Sequence, residues 1–160
     1  MPLGRSRPVR RNRKGQIELN LPDPARRVLA QLCRELRGML GTDDPALARL
    51  FPTAYTDDAD REAEYQILAR SELADRRLEV LEVIERTIDA RTLDEGEVRA
   101  WMHGINQLRL VLGTQLGVSE DDLVEPPTVG GPEAEAWANA WAAYEYLSAL
   151  LDAFVNAEGG

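Results

Sequence analysis

The amino-acid sequence predicts a mainly α-helical protein, a bundle of about five helices preceded by a short N-terminal β-hairpin or extended arm. Three observations lead to this prediction. Apolar residues recur at intervals of three and four along most of the chain, which is the period of an amphipathic helix. Signals that start and end helices recur along the same stretch. The 160 residues are enough for one ordinary domain, and 44% of them are hydrophobic, which is enough to form a core.

The first 21 residues are predicted to form a basic arm with a short β element, and residues 22–160 a helical domain. The chain carries a net charge of −9, although its first 14 residues contain six basic residues and no acid. The arm is therefore suited to nucleic acid or to an acidic protein surface, whereas the acidic body would repel nucleic acid. A solvated, partly disordered terminus is the alternative. The six basic residues are Arg5, Arg7, Arg10, Arg11, Arg13 and Lys14.

A hairpin is predicted within this arm. Two short runs, residues 7–11 and 16–19, flank a turn that ends at Gly15, where a positive φ is easily adopted. Ile17 and Leu19 alternate with polar residues, which is the pattern of a half-buried strand.

Helix-start signals define the first two helices. An Asp–Pro pair stands at residues 23–24 and again at 44–45. In each pair the aspartate is predicted to cap a helix and the proline to occupy its first position. The first helix is predicted to end at Gly41, and the short second helix at Phe51.

Three longer helices are predicted to complete the bundle. The apolar residues of the first, over about residues 60–91, spread around the axis, which indicates a central helix. Thr92 and Glu95 are predicted to form a capping box for the next helix, which ends at Gly117. Pro132 starts the last helix. Its predicted main face consists of Trp137, Trp141, Tyr144, Ser148, Leu151 and Val155.

Composition and spacing exclude several classes of function. No apolar run is long enough to span a bilayer, and no apolar stretch follows the N-terminal arginines to form a signal peptide. One cysteine excludes an internal disulfide, and one histidine leaves little for metal binding. Residues 57–68 resemble a calcium loop but lack its glycine and its final glutamate. Residues 112–123 resemble a helix–turn–helix, but its second helix would present acids to a polyanion.

Arg109 is the most informative charged residue, because it falls inside an apolar stripe. An isolated buried charge is too costly to keep, so Arg109 is predicted to be buried and paired with carboxylates of residues 57–64. Asp58 and Glu64 are the best candidates. A functional role, including a cryptic enzyme site near Arg109, is the alternative.

Cys33 lies at the edge of the apolar stripe of the first helix. It is predicted to be a small, half-buried apolar residue. The alternative is a thiol that Arg34 and Arg37 make reactive.

Two segments carry a resemblance to a known family. They are residues 49–58, RLFPTAYTDD, followed by Glu64, and Trp101 with residues 105–114, INQLRLVLGT. Together they resemble the actinobacterial family of uncharacterised proteins that includes the oxidative-stress regulator AosR and is often encoded beside the Clp protease adaptor. The resemblance extends over almost the whole chain. The motif positions form a predicted structural or interaction patch: Arg49, Tyr55, Asp58, Glu64, Trp101, Asn106 and Arg109.

The resemblance implies a cytoplasmic, non-enzymatic regulator of transcription that binds another protein. An extracytoplasmic-function sigma factor is the implied partner, and the oxidative-stress response the implied setting. No catalytic, cofactor or metal residue is implied. One branch uses a cysteine-dependent redox switch, but Cys33 alone cannot form an internal disulfide.

Two further expectations concern partners. Nucleic acid is expected to bind only through the basic arm, as an alternative to the regulatory function. Tyr146 and Leu150 lie opposite the main face of the last helix and suggest a second buried face. Either a homodimer or packing within the bundle would explain that face.

Overall fold

The computed structural model describes residues 7–42, 44–51, 59–117 and 130–159. These residues form four α-helices, a short 3₁₀ helix and a three-stranded antiparallel sheet, which confirms the predicted helical bundle with an N-terminal hairpin. Arg5, Tyr55 and Asp58 lie outside the described residues, as does the second half of the 112–123 segment. The elements are β1 (Val9–Arg11), β2 (Ile17–Leu19), α1 (Asp23–Met39), the 3₁₀ helix (Pro45–Leu47), α2 (Ala59–Arg86), β3 (Thr92–Leu93), α3 (Glu95–Leu116) and α4 (Pro132–Gly159).

The hairpin forms as its sequence predicts. β1 and β2 pair antiparallel, with Val9 opposite Leu19, and Gly15 in the turn has a φ of 80°. The Asn12 side chain accepts hydrogen bonds from the backbone N–H groups of Lys14 and Gln16, and these bonds close the turn. The apolar side chains of both strands are buried in the common core.

The predicted capping box at Thr92 and Glu95 is wrong. Thr92 pairs with Glu18 in β3, so the sheet gains a third strand. The box is formed two residues later, where Asp94 Oδ1 accepts from the Glu97 backbone at 2.8 Å and the Glu97 carboxylate accepts from the Asp94 backbone at 2.9 Å. Both positions satisfy the local pattern of a capping box. Because Thr92 pairs with β2, the helix begins later and its capping box is the one at Asp94 and Glu97.

The two Asp–Pro pairs behave differently. Pro22, not Asp23, is the N-cap of α1, and no side chain caps this helix. Asp23 instead lies in the first turn, where the helix dipole favours a carboxylate. Asp44 does cap the 3₁₀ helix, since its Oδ1 accepts from the Ala46 backbone at 2.9 Å.

The central helix is α3 rather than the predicted helix over residues 60–91. α3 contacts the other three α-helices and the 3₁₀ helix. It packs tightly against α2 at Gly104, where an added Cβ would overlap Ile84 Cδ1 and lie 3.2 Å from Val80 Cγ1. The wide spread of apolar residues on α2 has another cause, because Ile67 and Leu68 are exposed rather than packed.

The buried face of α4 also differs from the prediction. Leu147, Leu150 and Phe154 are buried, whereas Val155 is exposed. Trp137 and Trp141 are half-buried and stack on each other with ring centroids 5.7 Å apart. Helical period alone could not choose between two apolar faces. Leu150 is buried by packing within the bundle, which settles one of the two residues suggested for a second face.

Candidate functional site

The motif residues do not form one continuous surface. Trp101 is fully buried; its Nε1 donates to Thr87 Oγ1 at 2.7 Å, and its ring lies 5.9 Å from that of Phe154. Arg49 and Glu64 are exposed on other elements. Trp101 therefore belongs to the core and cannot contact a partner.

Arg109 is half-buried, so the prediction of a buried residue is wrong. Its Nη2 donates to Asn106 Oδ1 at 3.1 Å, and within the described residues it forms no ion pair with Glu64. The predicted partner Asp58 lies outside the described residues. A long arginine side chain can bury its methylene groups along an apolar stripe and keep its guanidinium near water, which explains the partial exposure.

Cys33 is more deeply placed than predicted. It is fully buried on the core-facing side of α1. Burial, with the Glu85 carboxylate adding to it, raises the pKa of the thiol to about 12, although Arg37 and Arg34 oppose the shift. Because the thiolate is the reactive form, this environment suppresses the chemistry that a redox switch needs.

Two arginines of the basic arm, Arg10 and Arg11, help to hold the fold. Arg10 forms an ion pair with Glu18 at 2.6 Å, which lowers the pKa of that carboxyl. Arg11 donates to the backbone carbonyls of Ala157 and Glu158, at the C-terminal end of α4. That end carries the negative pole of the helix dipole, which favours a cation there.

The turn of the hairpin holds the more available cations. Arg13 and Lys14 are exposed, and they border a cleft of about 490 Å³. Glu18 lines the same cleft, so its charge is mixed.

An apolar surface projects from the N-terminal half of α2. Ile67 and Leu68 are 74% and 70% exposed, the two most exposed large apolar side chains in the described part of the chain. The predicted central position of this helix implies that its apolar residues are packed, because exposed and buried apolar residues look alike in a helical pattern. Whether this side of α2 is exposed depends on which other elements pack against it, and the local sequence does not specify that.

A groove of about 810 Å³ runs beside this surface, between α2 and the end of α1. Arg70 lies over the ring of Phe51, with its guanidinium carbon 4.4 Å from the ring centroid, and donates to the Thr42 carbonyl at 3.1 Å. Arg77 donates to the Leu50 carbonyl at 2.8 Å, and its guanidinium carbon lies 5.8 Å from the centroid of the Phe51 ring. We call this feature the Phe51 groove; Ile67, Arg37, Ser71 and Asp75 also line it.

A second groove lies on the other side of α1. It has a volume of about 1010 Å³, separates α1 from α4, and is lined mainly by apolar side chains. We call it the α1–α4 groove. Val28 of α1 is 48% exposed in it, and Tyr146 of α4 lines the opposite wall.

Two kinds of site are not found in the described residues. No group of three or more metal-binding side chains converges there. None of the described helices is both long and apolar enough to cross a membrane.

Comparison with known proteins identifies the family without a function. No curated protein and no solved structure matches the chain significantly. A family model described as a domain of unknown function (DUF2017) matches residues 6–158. The match covers nearly the whole chain, and the protein therefore belongs to the DUF2017 family.

Proposed function

We propose that this chain is a cytoplasmic, non-enzymatic regulatory protein that binds another protein through the exposed surface of α2 and the Phe51 groove. The observation that carries the proposal is the exposure of Ile67 and Leu68 beside that groove. Large apolar side chains that stay in water next to a concave surface are typical of protein-binding sites.

The groove also determines the chemistry of the partner. Its apolar wall suits an aliphatic or aromatic anchor, and Arg70 adds a cation at its edge. Among the described residues Arg70 makes one hydrogen bond, to the Thr42 carbonyl, which leaves other N–H groups of its guanidinium for a carboxylate. A partner segment with an apolar anchor beside an acid would fit.

A sigma factor of the extracytoplasmic-function class is the partner we propose, in the oxidative-stress response. The support is the resemblance of residues 49–58 and 105–114 to the actinobacterial family that includes AosR. Residues 49–51 contribute Phe51 to the groove itself, so the motif and the proposed surface overlap. The burial of Cys33 argues that any redox signal reaches the complex through another molecule.

The test is a binding measurement with purified proteins. The chain would be titrated by calorimetry with an extracytoplasmic-function sigma factor from the same genome. We expect Ile67→Asp and Leu68→Asp to weaken binding at least about tenfold each, because a buried anchor would become a desolvated charge. Val155→Asp is the matched control, since Val155 is another exposed apolar residue, 50% exposed on α4.

Two results would contradict the proposal. One is a sigma factor that binds wild type and both α2 variants equally well. The other is the absence of binding to every such sigma factor of the genome, together with unchanged antioxidant gene expression in a strain that carries Ile67→Asp.

Nucleic-acid binding through the arm is a second candidate, favoured by the exposure of Arg13 and Lys14 at the hairpin turn. Phosphate contacts would make binding weaken steeply with salt. Fluorescence anisotropy with duplex DNA should then show affinity that falls on Arg13→Glu and Lys14→Glu but not on Arg99→Glu, an exposed arginine of α3. Equal retention by all three variants would remove this candidate.

A further inference from the structure

The wall that α2 contributes to the Phe51 groove is one continuous helical stripe. Its residues follow each other at intervals of one, three or four along about three turns of the helix. They are Ile67, Arg70, Ser71, Ala74, Asp75 and Leu78. The two ends of the stripe are apolar and its middle consists of two small residues, so another helix can approach closely there.

The groove favours a helical occupant over an extended one. Its walls are mainly α1 and α2, whose backbone groups are hydrogen-bonded within each helix. An extended segment in the groove would find no strand edge to pair with, and it would bury unpaired backbone groups at a cost. A helix pairs its own backbone groups and can place side chains along the stripe at helical spacing.

The stripe is complementary to itself when a second copy of α2 lies antiparallel on it. A two-fold axis between residues 72 and 73 places the apolar ends opposite each other, the cation opposite the anion, and the small residues opposite each other. The three pairs are Ile67 with Leu78, Arg70 with Asp75, and Ser71 with Ala74. The axis repeats each pair, so the match is made twice in one dimer.

Both charged residues of the stripe can enter this pairing. Asp75 is exposed and takes part in no ion pair or hydrogen bond with another described residue. Arg70 keeps guanidinium N–H groups besides the one that it donates to the Thr42 carbonyl. The remaining charged residue of the groove, Arg37 on the α1 wall, is already paired with Glu85 of its own chain. The groove therefore offers one cation and one anion, which is the pattern that a second copy matches.

We propose that a second copy of this chain occupies the Phe51 groove, as an antiparallel α2–α2 dimer with a two-fold axis between residues 72 and 73. Ile67, which is 74% exposed in a single copy, is then covered by Leu78 of the second copy. The dimer does not depend on the proposed function. Only its consequence for regulation rests on that function: a protein partner would have to displace the second copy from the groove.

Charge reversal tests the register of the dimer. Asp75→Arg places two cations opposite each other at both contacts, and Arg70→Asp does the same with two carboxylates. Sedimentation velocity over a dilution series should show a dimer for wild type and association at least about tenfold weaker for each variant alone. An equal mixture of the two variants is complementary at both contacts and should regain dimers. Arg76→Asp is the matched control, since Arg76 is exposed on the opposite side of α2, and it should associate as wild type does.

Cross-linking tests the antiparallel arrangement without changing any charge, and it does not depend on whether Arg70→Asp folds. Ser71→Cys and Ala74→Cys would each be made in a Cys33→Ala background. Residue 71 of one copy faces residue 74 of the other, so mild oxidation of the mixture should form the mixed disulfide faster than either variant forms its own. Arg76→Cys in the same background should form no dimer.

Three results would overturn the dimer. They are a wild-type chain that stays monomeric at every concentration, wild-type association of Asp75→Arg, and Cys variants that cross-link faster alone than in the mixture. The last result would mean a parallel or a shifted pairing of α2. Failure of the proposed function is a separate outcome, because a chain that binds no sigma factor would still show the dimer in these measurements.

Discussion

Two helix pairs of this bundle differ in how closely they pack. α2 and α3 pack so closely at Gly104 that a side chain larger than hydrogen does not fit there, since a Cβ would overlap Ile84 Cδ1. α1 and α4 both contact α3 yet leave a groove of about 1010 Å³ between them. Small residues occur at both places: a glycine at the tight contact and alanines along the open one. The difference shows that a small residue constrains packing only where side chains of a neighbouring helix come close to it.

α1 takes part in both situations. Cys33 lies on its buried face, near Glu85 of α2, whereas Val28 lies on the groove face and is half-exposed. Five residues along one helix thus separate a fully buried side chain from one that is half-exposed.

The largest effect is expected at Trp101. Trp101→Ala removes the largest fully buried side chain and leaves Thr87 Oγ1 without its indole partner, so unfolding should become easier by about 3–5 kcal/mol. Trp137→Ala, on the half-buried side of α4, should change stability by less than about 1 kcal/mol. Urea unfolding followed by circular dichroism measures both. Equal losses would mean that the aromatic stripe of α4 is as much part of the core as Trp101.

The thiol of Cys33 predicts a pH dependence. Its pKa is raised to about 12 in the folded state from 9.0, so the folded state holds the proton more tightly than the unfolded state. The stability it contributes is complete below pH 9 and declines as pH rises towards 12, by up to about 1.4 kcal/mol for each pH unit. Wild type should therefore lose stability relative to Cys33→Ala between pH 9 and pH 11.

Thiol accessibility gives an independent measurement of the same contrast. In native protein at neutral pH, Cys33 should react with a thiol reagent only as fast as the fold opens. Val28→Cys, placed in a Cys33→Ala background, should react at nearly the rate of a free thiol. Fast labelling of native Cys33 would contradict its burial and restore the redox interpretation.

Gly104→Ala should destabilise the fold by about 1–2 kcal/mol, because overpacking exceeds the helix propensity that alanine adds. Ile84→Val removes the Cδ1 atom that the new Cβ would meet. The double variant should therefore be more stable than the sum of the two single changes predicts. Gly38→Ala is the matched control: no atom lies within 4 Å of its added Cβ, and it should stabilise by up to about 1 kcal/mol.

The sequence predicts the parts of the fold that local signals specify. The hairpin turn at Gly15, the proline that begins α4 and the glycine that ends α3 all appear where their chemistry requires. β3 could not be predicted, because a two-residue strand exists only through its pairing with β2. The buried face of α4 could not be chosen either, since both of its candidate faces are apolar.

The candidate surfaces were harder to predict than the fold. Phe51 lies in a predicted motif, but the exposure of Ile67 and Leu68 could not be predicted, because hydrophobicity does not report exposure. A surface between elements distant in sequence depends on tertiary packing, which residue spacing does not encode.

The hydrogen bonds from Arg11 to the C-terminal end of α4 have a consequence for folding kinetics. The bonded residues are 146 and 147 positions apart, so this contact closes nearly the whole chain into one loop. Such a closure loses much chain entropy if made early, and it should form after α4 has docked on α3. Stopped-flow measurements should therefore find that Arg11→Ala leaves the refolding rate almost unchanged and accelerates unfolding. If Arg11→Ala instead slowed refolding, the contact between the N-terminal hairpin and the end of α4 would form early in folding.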